Sequence, residues 1–130
     1  MLNYVSVEEA VSVIKSGDTI FGHGSACTPN LFYDELANQA HKLKDVEMVS
    51  ITQQGNVEIA KPQYKDSFYI NSLFTSAPVR DAVNSENGDF VPIFLSEIPI
   101  LFKNDILPLD VAMITVSPPD NHGYCTLGTS

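Results

Sequence analysis

Basic residues are scarce in this chain, and their scarcity argues against two classes of partner. The 130 residues include 7 Lys and Arg but 16 Asp and Glu, which gives a formal charge of −9 at pH 7. The acidic excess grows along the chain, because 5 bases accompany 8 acids in residues 1–65 and 2 bases accompany 8 acids in residues 66–130. Nucleic-acid phosphates and anionic lipid headgroups both require a basic surface. We therefore expect neither a nucleic acid nor a membrane as a partner.

Cysteine is also rare, and long apolar runs are missing. Cys27 and Cys125 lie far apart, without a C-x-x-C motif or a cluster of further ligands, so we expect reduced thiols and no metal site. The most apolar stretches, residues 91–95 and 111–116, are too short to cross a bilayer. The first residues lack the basic start and the apolar core of a signal peptide. These absences predict a soluble cytoplasmic protein.

The composition that remains is that of one globular domain spanning residues 1–130. Hydrophobic residues make up 44% of the chain and charged residues 18%, which is typical of a folded protein. Helical and extended patterns alternate along the chain, which predicts an α/β fold of three layers with a mostly parallel sheet. Helices are predicted to begin after Ser6 (in a capping box, with a stop at Gly17), at Pro29, at Ser76 (with a stop at Gly88) and at Ser96. Strands are predicted at residues 18–21, 46–51, 68–74, 90–95, 111–116 and 124–127.

A glycine-containing loop follows the first predicted strand. Gly22 and Gly24 allow close approach of a ligand to the backbone, and the helix that starts at Pro29 offers unpaired N–H donors. Such a loop could hold a phosphate, or the oxyanion that forms when a thioester carbonyl is attacked. It matches neither the P-loop nor the dinucleotide-binding fingerprint. The alternative is that the glycines only allow the chain to turn.

A proline-rich turn at residues 117–124 follows the strand that looks most buried. Ligands in open α/β sheets collect beyond the carboxyl ends of strands, and His122 could offer a polar contact there. A purely structural turn explains the pattern equally well. A catalytic triad of Ser25, His122 and Asp120 is a weak hypothesis, because the serine lies one place late for the G-x-S-x-G motif. His41 is expected on the solvated face of its helix.

Three ordered blocks of sequence resemble one known family. They are SGDTIFGHGSACTP at residues 16–29, FVPIFLSEIP at residues 90–99, and residues 110–128, which end in SPPDNHGYCTLG. Together they resemble the amino-terminal domain of the acetyl-CoA hydrolase/transferase family, and within it the 4-hydroxybutyrate and acetate CoA-transferases. The resemblance implies an α/β fold like that of NagB, RpiA and the CoA-transferases.

The resemblance also implies acyl-CoA chemistry. In such enzymes a glutamate carboxylate attacks the acyl-CoA thioester, and a glutamyl-CoA thioester then passes CoA to a second carboxylate. CoA is the substrate, and neither a metal nor a permanently bound cofactor is implied. The implied partners are an acyl-CoA, a small carboxylate, the carboxyl-terminal half of the same enzyme and further copies of it. An acyl-CoA hydrolase and a free-standing module that binds an anionic metabolite stay open as alternatives.

The resemblance assigns pocket residues to this chain but no nucleophile. The candidates for the acyl or oxyanion pocket are Gly22, His23, Gly24, Ser25 and Ala26 from the loop, and Pro118, Asn121 and His122 from the turn. The catalytic glutamate and the CoA-binding segment belong to the family's carboxyl-terminal half, so we expect this chain alone to be inactive.

Two glutamates of the chain, and one apolar stretch, call for a separate interpretation. Glu86 stands in an S-E-N-G sequence like that of another CoA-transferase branch, but it is expected at a solvated helix end. Glu97 is expected to cap a helix or to lie at a domain interface. Residues 98–102 and 107–109 are the predicted apolar surface for the partner half, and their exposure predicts self-association.

Overall fold

The computed structural model describes residues 4–128, and its centre is a five-stranded sheet in which every neighbouring pair of strands is parallel. The strands are β1 (Thr19–Gly22), β2 (Val46–Ser50), β3 (Phe68–Ser72), β4 (Gly88–Phe90) and β5 (Val111–Met113). They lie in the order β4-β3-β2-β1-β5. The parallel α/β architecture predicted from the sequence is confirmed.

Within the described residues, four α-helices and six short 3-10 turns precede, connect or flank the strands. The α-helices are α1 (Val7–Val11), α2 (Asn30–Asn38), α3 (Arg80–Val83) and α4 (Ile98–Lys103). The 3-10 turns are Ser25–Cys27, Ala40–Lys42, Glu58–Ala60, Pro62–Tyr64, Ala77–Val79 and Leu95–Glu97. Ser6 caps α1 as predicted, because its Oγ accepts a hydrogen bond from the Glu9 N–H at 3.2 Å. Within residues 4–128 no helix has the length and apolar character needed to span a bilayer.

Successive side chains of each strand point to opposite faces of the sheet, and both faces carry an apolar layer. Ile20, Met48 and Ile70 are buried on one face, in the cluster that also contains residues of α1 and α2. The opposite face packs against α4, where the rings of Phe21 and Phe102 meet edge to face with centroids 5.7 Å apart. This arrangement gives the three layers that the sequence predicts.

Gly88 begins a strand, and the prediction that it stops a helix is wrong. Helix α3 already ends at Val83, and β4 starts at Gly88 itself. A Cβ atom on Gly88 would lie 2.5 Å from the Ile70 carbonyl oxygen and 3.2 Å from the backbone of Ala82. The glycine is therefore required because β3, β4 and α3 approach closely, and not because of a left-handed turn. The predicted strand at 90–95 shares only its first residue with β4, and the last bond of this ladder is the one that the Val91 N–H donates to the Ser72 carbonyl at 3.0 Å.

The last predicted strand, at residues 124–127, is absent from the described residues, and β5 is shorter than predicted. The Ser117 N–H donates to the Thr126 carbonyl at 2.9 Å, but the Thr126 N–H donates to the Ser117 Oγ at 3.0 Å. A side chain therefore takes the place of the carbonyl that a ladder needs. β5 pairs with β1 alone, so Ile114 and Val116 beyond it stay exposed where a doubly covered strand was expected.

Candidate functional site

The strand order creates one topological switch point, and it lies between β1 and β5. The chain steps from β1 through β2 and β3 to β4 in one direction, and then returns to place β5 on the other side of β1. Ligands in open α/β sheets bind in the crevice at the carboxyl ends of the two strands that flank such a point. Residues 22–29 leave β1 there, and residues 114–117 leave β5 there. The first segment is the loop from which the sequence predicts a site, and the second leads into the predicted turn at residues 117–124.

Hydrogen bonds join the two segments at the crevice. The His23 N–H donates to the Met113 carbonyl at 3.0 Å, and the Thr115 N–H donates to the His23 Nδ1 at 3.2 Å. The Thr115 hydroxyl donates to the Cys27 carbonyl at 2.7 Å. The loop after β1 is therefore fixed to the exit of β5 along three bonds.

The bond to His23 Nδ1 defines which ring nitrogen of the neutral imidazole carries the proton. A backbone N–H can only donate, so Nδ1 must accept, and the neutral ring then holds its proton on Nε2. The side chain is buried, with 8% of the residue exposed. His23 therefore presents one N–H donor on a ring that the fold holds in place.

The segment after β2 forms the third wall of the site. The Ser25 N–H donates to the Thr52 carbonyl at 2.7 Å, and a Cβ atom on Gly24 would lie 3.1 Å from the same oxygen. Ser25 itself has a φ of +51°, in the left-handed region that residues other than glycine rarely adopt. Strained residues of this kind are concentrated at functional sites.

Gln53 connects this wall to the rest of the site, and the sequence did not single it out. Its side-chain Nε2 donates to the His23 carbonyl at 3.1 Å, while its Oε1 accepts from the Tyr33 hydroxyl at 2.7 Å. Its backbone N–H donates to Ser76 Oγ, and Ser76 Oγ donates to its carbonyl, both at 2.9 Å. Gln53 therefore ties the loop after β1 to α2 and to the segment after β3. The only signal in the sequence was a glutamine in the polar segment that follows a strand.

Gly22 has a packing role at this site. A Cβ atom on Gly22 would lie 1.8 Å from the Tyr33 hydroxyl oxygen, so the tyrosine occupies the space that a side chain would need. Burial raises the pKa of Tyr33 well above its ordinary value. The hydroxyl therefore keeps its proton and donates to Gln53.

The structure brings the loop candidates together but leaves the turn candidates at an exposed tip. Gly22 and His23 are buried, Gly24 and Ser25 are half-buried, and Ala26 is exposed. Pro118, Asn121 and His122 are all exposed. Hydrogen bonds connect the base of this turn to the loop through Cys27: its carbonyl accepts from the Thr115 hydroxyl at 2.7 Å, and its Sγ donates to the Leu127 carbonyl at 3.5 Å.

The Asp120 side chain stabilises the turn through hydrogen bonds with its backbone. Its Oδ1 accepts from the N–H groups of His122 and Tyr124, at 2.8 and 2.9 Å. The carboxylate is therefore bound to backbone and does not orient the His122 ring, which removes the arrangement that a triad requires.

The other singled-out side chains lie away from the crevice. Glu86 is exposed and pairs with Lys65 at 3.2 Å, in agreement with a solvated position, and His41 is exposed as expected. Glu97 occupies the N-cap position of α4, but its side chain makes no capping hydrogen bond. Ile98 is buried against the sheet, and Leu101 and Phe102 pack beside it, so the predicted apolar surface at 98–102 is partly covered.

Fold and site together define a parallel α/β domain whose polar loops meet at a switch point. The family model described as the acetyl-CoA hydrolase/transferase N-terminal domain matches residues 3–130, and the chain belongs to that family. The resemblance drawn from the three sequence blocks is confirmed.

Curated relatives of this chain are CoA-transferases. A succinyl-CoA:acetate/propanoyl-CoA:succinate CoA transferase of Fasciola hepatica is 39% identical over 125 residues, which are 95% of this chain and 26% of the relative. A 4-hydroxybutyrate coenzyme A transferase of Clostridium kluyveri is 36% identical over 126 residues, which are 97% of this chain and 29% of the relative. The chain thus spans between a quarter and a third of the length of these relatives.

Solved structures show the same fold. RipA from Yersinia pestis superposes with a TM-score of 0.84 at 26% identity, covering 95% of this chain and 31% of that one. A 4-hydroxybutyrate CoA-transferase from Porphyromonas gingivalis superposes with a TM-score of 0.69, also at 26% identity, covering 97% of this chain and 28% of that one. The predicted likeness to the CoA-transferase fold is confirmed.

Proposed function

We propose that this chain forms the acyl-group side of a CoA-transferase that moves CoA between an acyl-CoA and a small carboxylate such as 4-hydroxybutyrate, butyrate or acetate. The observation that carries the proposal is the convergence of the family's glycine loop and the exit of β5 at the switch point, joined through His23. The names of the relatives support the reaction class.

The chemistry requires a donor for a developing negative charge. When a carboxylate attacks a thioester carbonyl, the carbonyl oxygen becomes an oxyanion, and fixed N–H donors stabilise it. His23 supplies such a donor through Nε2–H, because Thr115 occupies Nδ1. Gly24, Ser25 and Ala26 belong to the same loop and complete the acyl pocket in this proposal. Pro118, Asn121 and His122 lie at the exposed tip of the turn, and the proposal assigns them to contacts with substrate outside this pocket.

The nucleophile in this proposal comes from outside the chain. A glutamate carboxylate of the longer protein attacks the acyl-CoA thioester, and CoA leaves as its thiolate. The thiolate then attacks the glutamyl carbonyl, which releases the first carboxylate and leaves a glutamyl-CoA thioester. A second carboxylate accepts CoA by the reverse sequence. No metal or permanent cofactor takes part.

The exposed apolar residues near α4 fit a surface for the remaining part of such an enzyme. Phe94, Leu95 and Ile100 are at least half exposed, and Ile106 is 67% exposed. Apolar side chains left bare in this number mark an interaction surface. The same surface is where further copies of the enzyme would associate if the remaining part does not cover it.

A chimeric enzyme tests the function. This chain would replace the matched segment of the Clostridium kluyveri 4-hydroxybutyrate coenzyme A transferase, and CoA transfer from acetyl-CoA to butyrate would be measured. We expect transfer by the chimera and none by the 130-residue chain alone. A folded chimera that fails with acetate, butyrate and 4-hydroxybutyrate would contradict the proposal, and release of free CoA without an acceptor would identify a hydrolase instead.

A further inference from the structure

A second cavity lies away from the switch point, at the carboxyl ends of β3 and β4. Its volume is about 430 Å³, and it is lined by Phe74, Thr75, Arg80, Val83, Asn84 and Phe90. The crevice lies between β1 and β5 and this cavity between β3 and β4, so the two are roughly 14 Å apart at the spacing of neighbouring strands. The size is at the lower end of the range for small-molecule sites, which is about 300–1,000 Å³.

The walls of this cavity are aromatic and open. Phe74 is 63% exposed and Phe90 is 47% exposed, although both are large apolar side chains. Val83 is half-buried between them. A ligand with an apolar body would cover these surfaces and remove them from water.

Arg80 is the single arginine of the chain and the only cation in the cavity wall. The two ion pairs within residues 4–128 join Lys61 to Glu58 and Lys65 to Glu86, so neither uses Arg80. This is notable in a protein with 16 carboxylate side chains. A guanidinium presents two parallel N–H donors that match the two oxygens of a carboxylate.

Neither of the nearest carboxylates in the sequence lines this cavity. Asp81 lines a different cavity, together with Pro78 and Gly55. Asp89 Oδ1 accepts from the Phe90 N–H at 2.7 Å. The guanidinium of Arg80 is therefore left for a ligand, and Asn84 adds an amide beside it.

We propose that this cavity binds an organic monocarboxylate with an apolar body, whose carboxylate pairs with Arg80 and whose body lies against Phe74 and Phe90. The net charge of −9 repels anions over most of the surface. A cation beside an apolar wall therefore favours a carboxylate with an apolar body. The proposal does not rest on CoA transfer, because it concerns binding alone.

Titration of the 15N-labelled 130-residue chain with cyclohexanecarboxylate tests the site. We expect saturable shifts of the backbone N–H signals of Phe74, Arg80, Asn84 and Phe90. Cyclohexanecarboxamide has the same body without the charge, and we expect it to bind at least about tenfold more weakly. Equal binding of the acid and the amide, or shifts confined to other residues, would overturn the proposal.

Substitutions of Arg80 and Phe74 test separately how the cation and the aromatic wall contribute to binding. Arg80→Met should weaken cyclohexanecarboxylate binding about tenfold or more, whereas Lys103→Met removes the same charge from outside the cavity and should leave binding unchanged. Phe74→Ala should weaken cyclohexanecarboxylate but not acetate. Arg80, Phe74 and Lys103 are exposed, so the thermal midpoint of each variant should stay near that of the parent. Equal losses from Arg80→Met and Lys103→Met would show a general charge effect and overturn the site.

A failure of this titration and a failure of the chimeric transfer assay remain distinguishable. Carboxylate binding at Arg80 without CoA transfer by the chimera would support the carboxylate site and contradict the proposed function. CoA transfer by the chimera without carboxylate binding at Arg80 would support the proposed function and exclude the carboxylate site in this cavity.

Discussion

The hydroxyl of Tyr33 fills the space beside Gly22, because a Cβ atom on Gly22 would lie 1.8 Å from the Tyr33 Oη. The hydroxyl is also fixed from the other side, where it donates to Gln53 Oε1 at 2.7 Å. One glycine therefore allows a helix residue to reach the end of β1 and support the loop that follows it.

Substitution of Gly22 should be costly for this steric reason. We expect Gly22→Ala to lower the free energy of unfolding by about 1–3 kcal/mol, since a buried methyl group would force Tyr33 aside. Urea denaturation measures the loss. In the double variant Gly22→Ala, Tyr33→Phe the clashing oxygen is gone, so the alanine should cost less in the Tyr33→Phe background than in the parent. Equal costs in both backgrounds would show that Tyr33 is not the obstacle.

Gln53 should contribute strongly to stability, although it is polar. Gln53→Met keeps the volume but leaves the Tyr33 hydroxyl and the His23 carbonyl without their partner. Buried groups left unpaired cost about 1–3 kcal/mol each, so we expect a total loss of about 2–4 kcal/mol. Gln54→Met is the matched control, because that residue is exposed, and its effect should stay within about 0.5 kcal/mol. Equal effects of the two substitutions would contradict the assigned hydrogen bonds.

Glu58 should make stability depend on pH in the acid range. A hydrogen bond from Lys61, followed by one from Asn56, lowers the pKa of the Glu58 carboxyl. Because the pKa is lower in the folded state, this contribution is present above the unfolded pKa and is lost as the pH falls through the folded pKa. Glu58→Gln should therefore lower the urea midpoint at pH 7 more than at pH 3. A difference between variant and parent that does not shrink in acid would rule out this linkage.

His23 should act through Nε2–H in the chimeric transferase. His23→Asn keeps an acceptor near the position of Nδ1 but removes the Nε2–H donor, so we expect kcat to fall about a hundredfold with little change in KM. His23→Gln carries an amide nearer the position of Nε2 and should retain more of the rate. His41→Asn is the control, since His41 is exposed on another surface. Equal rates for the Asn and Gln variants would argue against a donor at Nε2.

Local signals in the sequence predicted much of the fold, because they depend on neighbouring residues. The cap at Ser6 follows from residue spacing within the first predicted helix, and the solvated position of His41 follows from spacing within the second. The parallel sheet follows from the alternation of strands and helices. The predicted stop at Gly88 is wrong because the reason for that glycine is the distant Ile70 carbonyl, which no local pattern reveals.

The residues of the candidate site likewise include some that local sequence patterns predict and some that they do not. The glycine loop was predicted, since it follows a strand and carries unusual residues. The turn at residues 117–124 was predicted as its partner, but its tip is exposed, and the loop bonds to Thr115 instead. Gln53 was missed because its partners, Tyr33, Ser76 and the His23 carbonyl, lie 20 or more residues away in the chain. The cavity at Arg80 was missed for a similar reason, because its walls come from β4, α3 and the segment after β3.

The turn at residues 117–126 is held together by its own hydrogen bonds: the Asp120 carboxylate accepts from two backbone N–H groups, and Ser117 and Thr126 bond to each other. Its attachment to the body runs through Thr115 and Cys27 at its base. The turn's own bonds join residues at most nine positions apart in the chain. In kinetic terms the turn is therefore a local unit, because its closure needs no contact with the sheet and costs little loop entropy.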